Sequence, residues 1–200
     1  MKRLAEAKTR LRGSLRAGHH RRLVLAMAED TVCAVLACPL VAEAVVVTDE
    51  PVVSGRMRAL GAVPVPDRPA AGLNPALEYG ATVASHPWVA AVGADLPALR
   101  SADLAGALRA AVAAGRRCFV PDAAGSGTTL LAAPPGIGLD ARFGPDSAAR
   151  HAASGAHRLV GEWPTLRQDV DTLDDLAAAV ALGLGPRTAE VWHEIAPPDL

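Results

Sequence analysis

Short apolar runs recur along the chain, and segments with helical patterning separate them. The runs are rich in valine and alanine and cover residues 42–48, 63–66, 89–99 and 118–121. A short continuous apolar run is typical of a buried parallel strand. Helices are predicted between these runs, at residues 18–36, 52–60, 74–84 and 101–115. The alternation predicts an α/β fold in which helices cover both faces of a mainly parallel sheet.

Polar residues stand where several of these helices should begin. Asn74 and Ser101 are candidate N-caps, and Asp103 is favourable in the first turn that follows Ser101. Thr172 is followed three residues later by Asp175, which is the spacing of a capping box. We therefore expect a further helix to start at Thr172.

The regular alternation breaks after residue 121. The sequence GSGTT begins at Gly125 and leads into an apolar segment at 130–133. This order predicts a small β-ribbon inserted beside the main sheet. Two interpretations of GSGTT stay open: a cradle whose backbone amides bind a phosphate or carboxylate, or a flexible hairpin turn. A helix at 148–154 follows, with Asp146 or Ser147 as its cap or as an anion contact.

Two carboxylates follow or flank buried segments. Asp95 comes after the apolar run that starts at residue 89, and Asp169 alternates with Asp171 ahead of the last predicted helix. Open α/β sheets bind ligands at the carboxyl ends of their strands. If Asp95 and Asp169 meet there, their oxygens would suit Mg²⁺. A turn cap at Asp95 and solvated acids elsewhere explain the same residues equally well.

Length and composition narrow the class of protein. The chain has 200 residues, half of them hydrophobic with few aromatics, which fits one globular domain. No apolar run approaches the roughly 20 residues of a membrane helix, and the chain opens with charges, so we expect a cytoplasmic protein. Cys33, Cys38 and Cys118 lack the C-x-x-C spacing of a disulfide framework or a zinc site.

Positive charge is concentrated in the first 22 residues, where Glu6 is the only acid. The basic residues are Lys2, Arg3, Lys8, Arg10, Arg12, Arg16, Arg21 and Arg22. A nucleic-acid arm, a targeting peptide and a loop that cradles polyphosphate are the competing interpretations. We favour the phosphate loop, because the block runs directly into a helix and carries no aromatic residues for base stacking.

Motifs in a fixed order along nearly the whole chain resemble a known family. They are KRLAEAKTRL at Lys2, GLNPAL at Gly72, GADLPAL at Gly93, GSGTT at Gly125, RFGPDSAARH at Arg142 and WPTLRQDVDT at Trp163. The set resembles the guanylyltransferases of coenzyme F420 biosynthesis, which act on 2-phospho-L-lactate or phosphoenolpyruvate, and the phosphoenolpyruvate branch is the more similar. The resemblance implies a nucleotidyltransferase-type, Rossmann-like fold.

The same resemblance implies roles for individual residues. Thr128, Gly144 and Ser147 would hold phosphoenolpyruvate, while Asp95 and Asp169 would bind Mg²⁺ as catalytic residues.

On the nucleotide side, the resemblance makes Lys8 a catalytic residue that meets the phosphates of GTP, with Lys2 and Arg10 beside it. Asn74 is a candidate for base or ribose contacts, or else only a helix cap. The implied reaction transfers GMP from GTP to phosphoenolpyruvate and gives enolpyruvyl-diphospho-5'-guanosine and pyrophosphate. The alternative acceptors are 2-phospho-L-lactate and 3-phosphoglycerate. Neither a membrane nor a nucleic acid is an expected partner.

One departure from the family concerns its first strand. Relatives have an apolar strand immediately before the lysine that matches Lys2, whereas this sequence has only Met1 there. We therefore expect a single nucleotidyltransferase domain over residues 1–200 that lacks the family's first strand. A misassigned start is the preferred explanation, and a truncated, non-catalytic anion-binding domain is the alternative.

Overall fold

Helices and strands alternate through the part of the chain that the computed structural model describes, residues 17–195. The helices are α1 (Ala17–Leu36), α2 (Pro51–Ala59), α3 (Leu73–Val83), α4 (Ser101–Ala114), α5 (Ser147–Ala153), α6 (Pro164–Arg167), α7 (Leu173–Leu182) and α8 (Pro186–Ile195). The strands are β1 (Val45–Val47), β2 (Val63–Val65), β3 (Val89–Val92), β4 (Cys118–Pro121), β5 (Thr128–Ala133) and β6 (His157–Arg158). The predicted α/β class is confirmed.

The strands form two sheets. β1 and β2 pair in parallel, and a second sheet has the order β3-β5-β4-β6. β5 is antiparallel to both of its neighbours, and β4 pairs with β6 in parallel. The predicted β-ribbon beside the sheet is therefore wrong, since β5 lies inside the sheet and bonds to a strand on each side. Five of its six residues are buried, as expected of an interior strand.

Alternate residues of the second sheet face two different layers of helices. Cys118, Val120 and Leu130 pack in one cluster with apolar residues of α4 and α6. Phe119 and Leu131 pack on the other side with residues of α3 and α5. Because successive strand side chains point to opposite faces, both faces of this sheet are covered, as the sequence predicted.

A third apolar cluster joins α1, α2, α7 and α8. It includes Met27 of α1, Met57 of α2, Leu176 of α7 and Val191 of α8, all buried. Asp30 of α1 caps the last of these helices, because its carboxylate accepts hydrogen bonds from the first-turn amides of α8. The C-terminal helix is thereby part of the core.

Two of the predicted helix caps are wrong. Gly72 occupies the N-cap position of α3, and Asn74 lies inside its first turn. Ser101 is likewise the first helical residue of α4, whose N-cap is Arg100. In both cases the capping rule identifies the first turn but misses the cap by one or two positions. The third prediction is confirmed, since Thr172 and Asp175 form a complete capping box.

Among residues 17–195, no helix combines the length and the apolar character that crossing a membrane requires. The expected absence of the family's first strand concerns sequence outside this range and stays a prediction.

Candidate active site

A cavity of about 1060 Å³ lies at the carboxyl end of β3. Its apolar part is lined by β1, β3 and side chains of α1, α3 and α4. Its polar part is lined by the residues that the resemblance assigned to acceptor and metal: Asp95, Thr128, Gly144, Ser147 and Asp169. Segments far apart in the sequence therefore supply one continuous surface, at the sheet edge where α/β proteins bind ligands.

The remaining predicted site residues are Lys2, Lys8, Arg10 and Asn74. Lys2, Lys8 and Arg10 lie outside the described residues. Asn74 does not line the cavity.

The loop after β3 holds Asp95 at the mouth of the cavity. The backbone amide of Leu96 donates a hydrogen bond of 3.1 Å to the Thr31 hydroxyl of α1, which itself donates to the carbonyl of Met27. Gly93 leaves room for the carboxylate, because a Cβ atom there would come within 2.6 Å of Asp95 Oδ1. The absence of a side chain at Gly93 is thus a requirement for the observed position of Asp95.

A backbone hydrogen bond brings Asp169 next to Asp95. The amide of Val170 donates to the carbonyl of Asp95 over 3.1 Å, and Val170 itself is fully buried. The preceding helix α6 is anchored by Asp103, whose carboxylate accepts from both the amide and the hydroxyl of Thr165. The two carboxylates predicted to meet at one sheet edge do lie on one cavity.

The GSGTT segment is a turn closed by a side chain of its own hairpin. Asp122 accepts hydrogen bonds from the amides of Ser126 and Gly127 at 2.9 and 2.8 Å, and its carbonyl accepts from the amide of Gly125. The amides of Gly125, Ser126 and Gly127 already donate to Asp122 and are not free to bind an anion, which favours the hairpin-turn interpretation. The closure by Asp122 gives this turn a fixed shape.

Thr128, the first residue of β5, contacts a buried histidine. Thr128 Oγ1 lies 3.0 Å from Nδ1 of His151 on α5. The other ring nitrogen, Nε2, accepts a hydrogen bond of 2.9 Å from the backbone amide of Arg142. His151 therefore joins the start of β5 to the loop that leads to Gly144.

That loop is held from the other side by α3. The side-chain oxygen of Asn74 accepts from the amide of Phe143 at 2.7 Å, and its side-chain amide donates to the carbonyl of the same residue. One turn later, Glu78 accepts from the amide of Ala141. Both polar atoms of the Asn74 side chain are engaged by the backbone of Phe143, so this side chain is not available as a helix cap.

Gly144 and Ser147 follow immediately. Gly144 has a φ of 115°, a conformation that favours glycine, and Ser147 is buried at the first position of α5. Asp146 occupies the N-cap position of α5, which is one of the two predicted alternatives, but its backbone is left-handed and its side chain makes no capping hydrogen bond. The Arg150 guanidinium lies close to Gly144, 3.1 Å from where a Cβ atom would be.

Curated proteins named phosphoenolpyruvate guanylyltransferase are similar to this chain over nearly its whole length. The protein from Salinispora arenicola is 58% identical over 198 residues, which are 98% of this chain and 92% of the relative. The proteins from Geodermatophilus obscurus and Streptomyces coelicolor are each 53% identical, over 98% and 96% of this chain and 93% and 92% of their own lengths. The chain belongs to the phosphoenolpyruvate guanylyltransferase family.

Solved structures agree with this family on the fold. A protein from Desulfovibrio desulfuricans described as a nucleotide-diphospho-sugar transferase superposes with a TM-score of 0.72 at 16% identity, over 96% of this chain and 90% of that one. A nucleotidyl transferase from a Methanothermobacter species gives a TM-score of 0.54 at 21% identity, over 78% and 80% of the two chains. No family model matches the chain.

The donor set of this guanylyltransferase chain fits Mg²⁺ better than a transition metal. Within residues 17–195, no group of three or more His, Cys, Asp or Glu side chains could enclose a metal ion. Asp95 and Asp169 supply carboxylate oxygens only. Mg²⁺ is commonly bound by one or two carboxylates together with waters and substrate phosphates. Asp95 and Asp169, two carboxylates beside one cavity, are a donor set of this kind.

Sequence reasoning missed three residues that hold the loops around Thr128 and Gly144 in shape. Asp122, Glu78 and His151 each bind the backbone of a site loop. One signal was available for His151, since it lies four residues after Ser147 and therefore on the same face of a predicted helix. The partners of Asp122 and Glu78 depend on how the chain folds back on itself and leave no local signal.

Proposed function

We propose that this chain transfers a guanylyl group from GTP to phosphoenolpyruvate, giving enolpyruvyl-diphospho-5'-guanosine and pyrophosphate for coenzyme F420 biosynthesis. The observation that carries the proposal is the single cavity lined by Asp95, Thr128, Gly144, Ser147 and Asp169. The family resemblance alone assigns these residues to one acceptor and one metal ion. Their meeting on one surface is what a shared site requires.

The attacking group needs little activation by the protein. A phosphate monoester has a second pKa of about 6, so the phosphate of phosphoenolpyruvate is mainly a dianion near neutral pH. It can attack the α-phosphorus of GTP directly, and no general base is required. The protein must align two anions and offset their repulsion. The Thr128 hydroxyl, the Gly144 segment and Ser147 would orient the acceptor for this step.

Asp95 and Asp169 would hold Mg²⁺ at the polar end of the cavity. A bound Mg²⁺ supplies charge neutralisation for the phosphate oxygens during an in-line displacement. The positions of the two carboxylates depend on neighbouring backbone, through the amide of Val170 and the absence of a side chain at Gly93. A metal-binding role for them is testable through these supports as well as through the carboxylates themselves.

The nucleotide side of the site rests on residues outside the described range. Lys8 is proposed to offset charge on the departing pyrophosphate, with Lys2 and Arg10 in support. Asn74 binds Phe143, which lines the cavity. A contact of Asn74 with guanine or ribose stays a prediction. The cytoplasmic location expected from the charged N-terminus also stays a prediction.

Acceptor choice is proposed to be a preference and not an absolute exclusion. Phosphoenolpyruvate is planar at C2 whereas phospholactate is tetrahedral there, but both carry the same charged groups. A methylene-sized difference in an apolar wall changes kcat/KM by roughly 10- to 200-fold. We expect Ser147→Ala to reduce kcat/KM for both acids by similar factors and to leave the KM for GTP unchanged. Selective loss of one acid would show that Ser147 reads the acceptor's shape.

The first experiment is pyrophosphate release by the purified, folded chain with GTP, Mg²⁺ and each acceptor: phosphoenolpyruvate, 2-phospho-L-lactate and 3-phosphoglycerate. We expect release with phosphoenolpyruvate, and loss of release in Asp95→Asn with folding preserved, because Asp95 lies at the cavity surface and outside the apolar clusters. Absence of release with all three acids would refute the proposed function and leave the anion-binding alternative.

A further inference from the structure

His151 is fully buried one helical turn after Ser147. Its ring packs against two aromatic side chains: the centroid of Phe119 lies 5.8 Å away, and Phe143 approaches edge-on at 5.1 Å. Both ring nitrogens have polar partners. The ring therefore has a fixed orientation, set by packing on its faces and by hydrogen bonds at its edge.

The partners determine which nitrogen carries the proton. The group facing Nε2 is the backbone N–H of Arg142, which can only donate. Nε2 must therefore present its lone pair, and in a neutral imidazole the proton then lies on Nδ1. Nδ1–H faces the oxygen of the Thr128 hydroxyl at 3.0 Å. Thr128 accepts this hydrogen bond, and its own hydroxyl proton must be directed elsewhere.

Thr128 lines the cavity beside Gly144 and Ser147, so the cavity is where that proton can be used. We propose that His151 is a positioning residue that makes the Thr128 hydroxyl a hydrogen-bond donor towards the anionic acceptor. This inference rests on the proposed function, because it assumes that the acceptor binds at Thr128. A hydroxyl that accepts from Nδ1–H cannot donate to that nitrogen, so its own proton is left to donate to a bound carboxylate or phosphate.

The surroundings keep the imidazole neutral, as this tautomer requires. Burial lowers the pKa of His151 to about 4, and the positive charges of Arg117, Arg150 and Arg142 act in the same direction. Asp140 opposes them without restoring the ordinary value. The donor direction at Thr128 should therefore hold across the neutral pH range in which the acceptor is a dianion.

Two amide substitutions separate the two hydrogen bonds of His151. In His151→Asn the shorter side chain would end near the position of Nδ1 and could donate to Thr128, whereas in His151→Gln the longer side chain reaches the position of Nε2 and could accept from Arg142. We expect His151→Asn to keep the KM for phosphoenolpyruvate within about threefold of wild type, and His151→Gln to raise it about tenfold, the equivalent of one net hydrogen bond. The KM for GTP should not change in either variant.

The matched background is Thr128→Val, which removes the hydroxyl. This substitution alone should lower kcat/KM for phosphoenolpyruvate by roughly 10- to 100-fold, the range for a hydrogen bond to a charged group. In that background the two substitutions at His151 should be equivalent, because residues that act through one another are not additive. If His151→Asn and His151→Gln are equivalent when Thr128 is present, or still differ in the Thr128→Val background, His151 only supports the loop.

A spectroscopic measurement is independent of catalysis. Nitrogen-15 NMR of the imidazole at neutral pH should show a protonated Nδ1 and an unprotonated Nε2 for His151. The opposite tautomer would overturn the inference whatever the activity. Failure of wild-type protein to release pyrophosphate with any acceptor would instead refute the proposed function, and the tautomer would still be decided by the NMR spectrum.

Discussion

Acidification from neutral pH should destabilise this protein through His151. Burial holds the pKa of this side chain at about 4 in the folded chain, against an ordinary value of 6.5. Between these two values the unfolded chain binds a proton that the folded chain does not. The free energy of unfolding therefore falls as the pH is lowered through this window, and the full stabilisation is present above about pH 6.5.

The gap between the two pKa values corresponds to about 3 kcal/mol when 1 pKa unit equals about 1.4 kcal/mol. Domains of this kind have free energies of unfolding of about 5 to 15 kcal/mol, so the loss is a substantial part of the total. The surroundings of His151 explain why this loss of stability is large. A proton on Nε2 would face the N–H of Arg142, and the cationic ring would lie near Arg117 and Arg150.

The assay is denaturant unfolding of wild type and His151→Gln at several pH values from 7 to 4. Glutamine does not titrate, and every other ionisable group is common to both proteins, so the difference between their free energies of unfolding isolates His151. Wild type should lose about 2 to 3 kcal/mol more than the variant over this range. Parallel curves for the two proteins would refute the reasoning, since His151 would then titrate alike in both states.

Two further substitutions test the supports of the carboxylates. Gly93→Ala should lower turnover at least tenfold and raise the Mg²⁺ requirement, because the new methyl group displaces the Asp95 carboxylate. The control is Gly55→Ala, which should be near wild type because a Cβ atom there meets no atom within 4 Å. Thr165→Val should lower the free energy of unfolding by roughly 1 to 3 kcal/mol, measured by denaturant titration, since Asp103 loses a buried partner. Unchanged values in either case would contradict the proposed support.

The sequence predicts the elements of this fold well because their signals are local. The apolar run at 118–121 coincides with β4, and the helix predicted at 101–115 ends at Gly115, a left-handed C-cap. The capping box at Thr172 is complete within four residues. Wherever a rule concerns neighbours along the chain, prediction and structure agree to within a few residues.

Strand order and helix caps are harder to predict from the sequence, because the groups that pair with them lie far away along the chain. The sequence around β5 predicts a ribbon beside the main sheet, yet β5 pairs with both β3 and β4. Asn74 is a residue type that often caps helices, but its side chain binds the backbone of Phe143, 69 residues later. A polar side chain near a helix start has several possible partners, and only the folded chain decides which of them is closest.

The same distinction applies to the candidate site. Motif order points to Asp95, Thr128 and Ser147, and the structure shows that all three line one cavity. It did not identify Asp122 or His151, whose partners are protein groups. A residue that belongs to an ordered motif can be recognised by likeness to relatives without any knowledge of its neighbours. A residue that acts by orienting another side chain can be recognised only when the hydrogen-bond partners of both are known. For His151 the deciding partner is the backbone amide of Arg142, which donates to Nε2 and therefore places the ring proton on Nδ1.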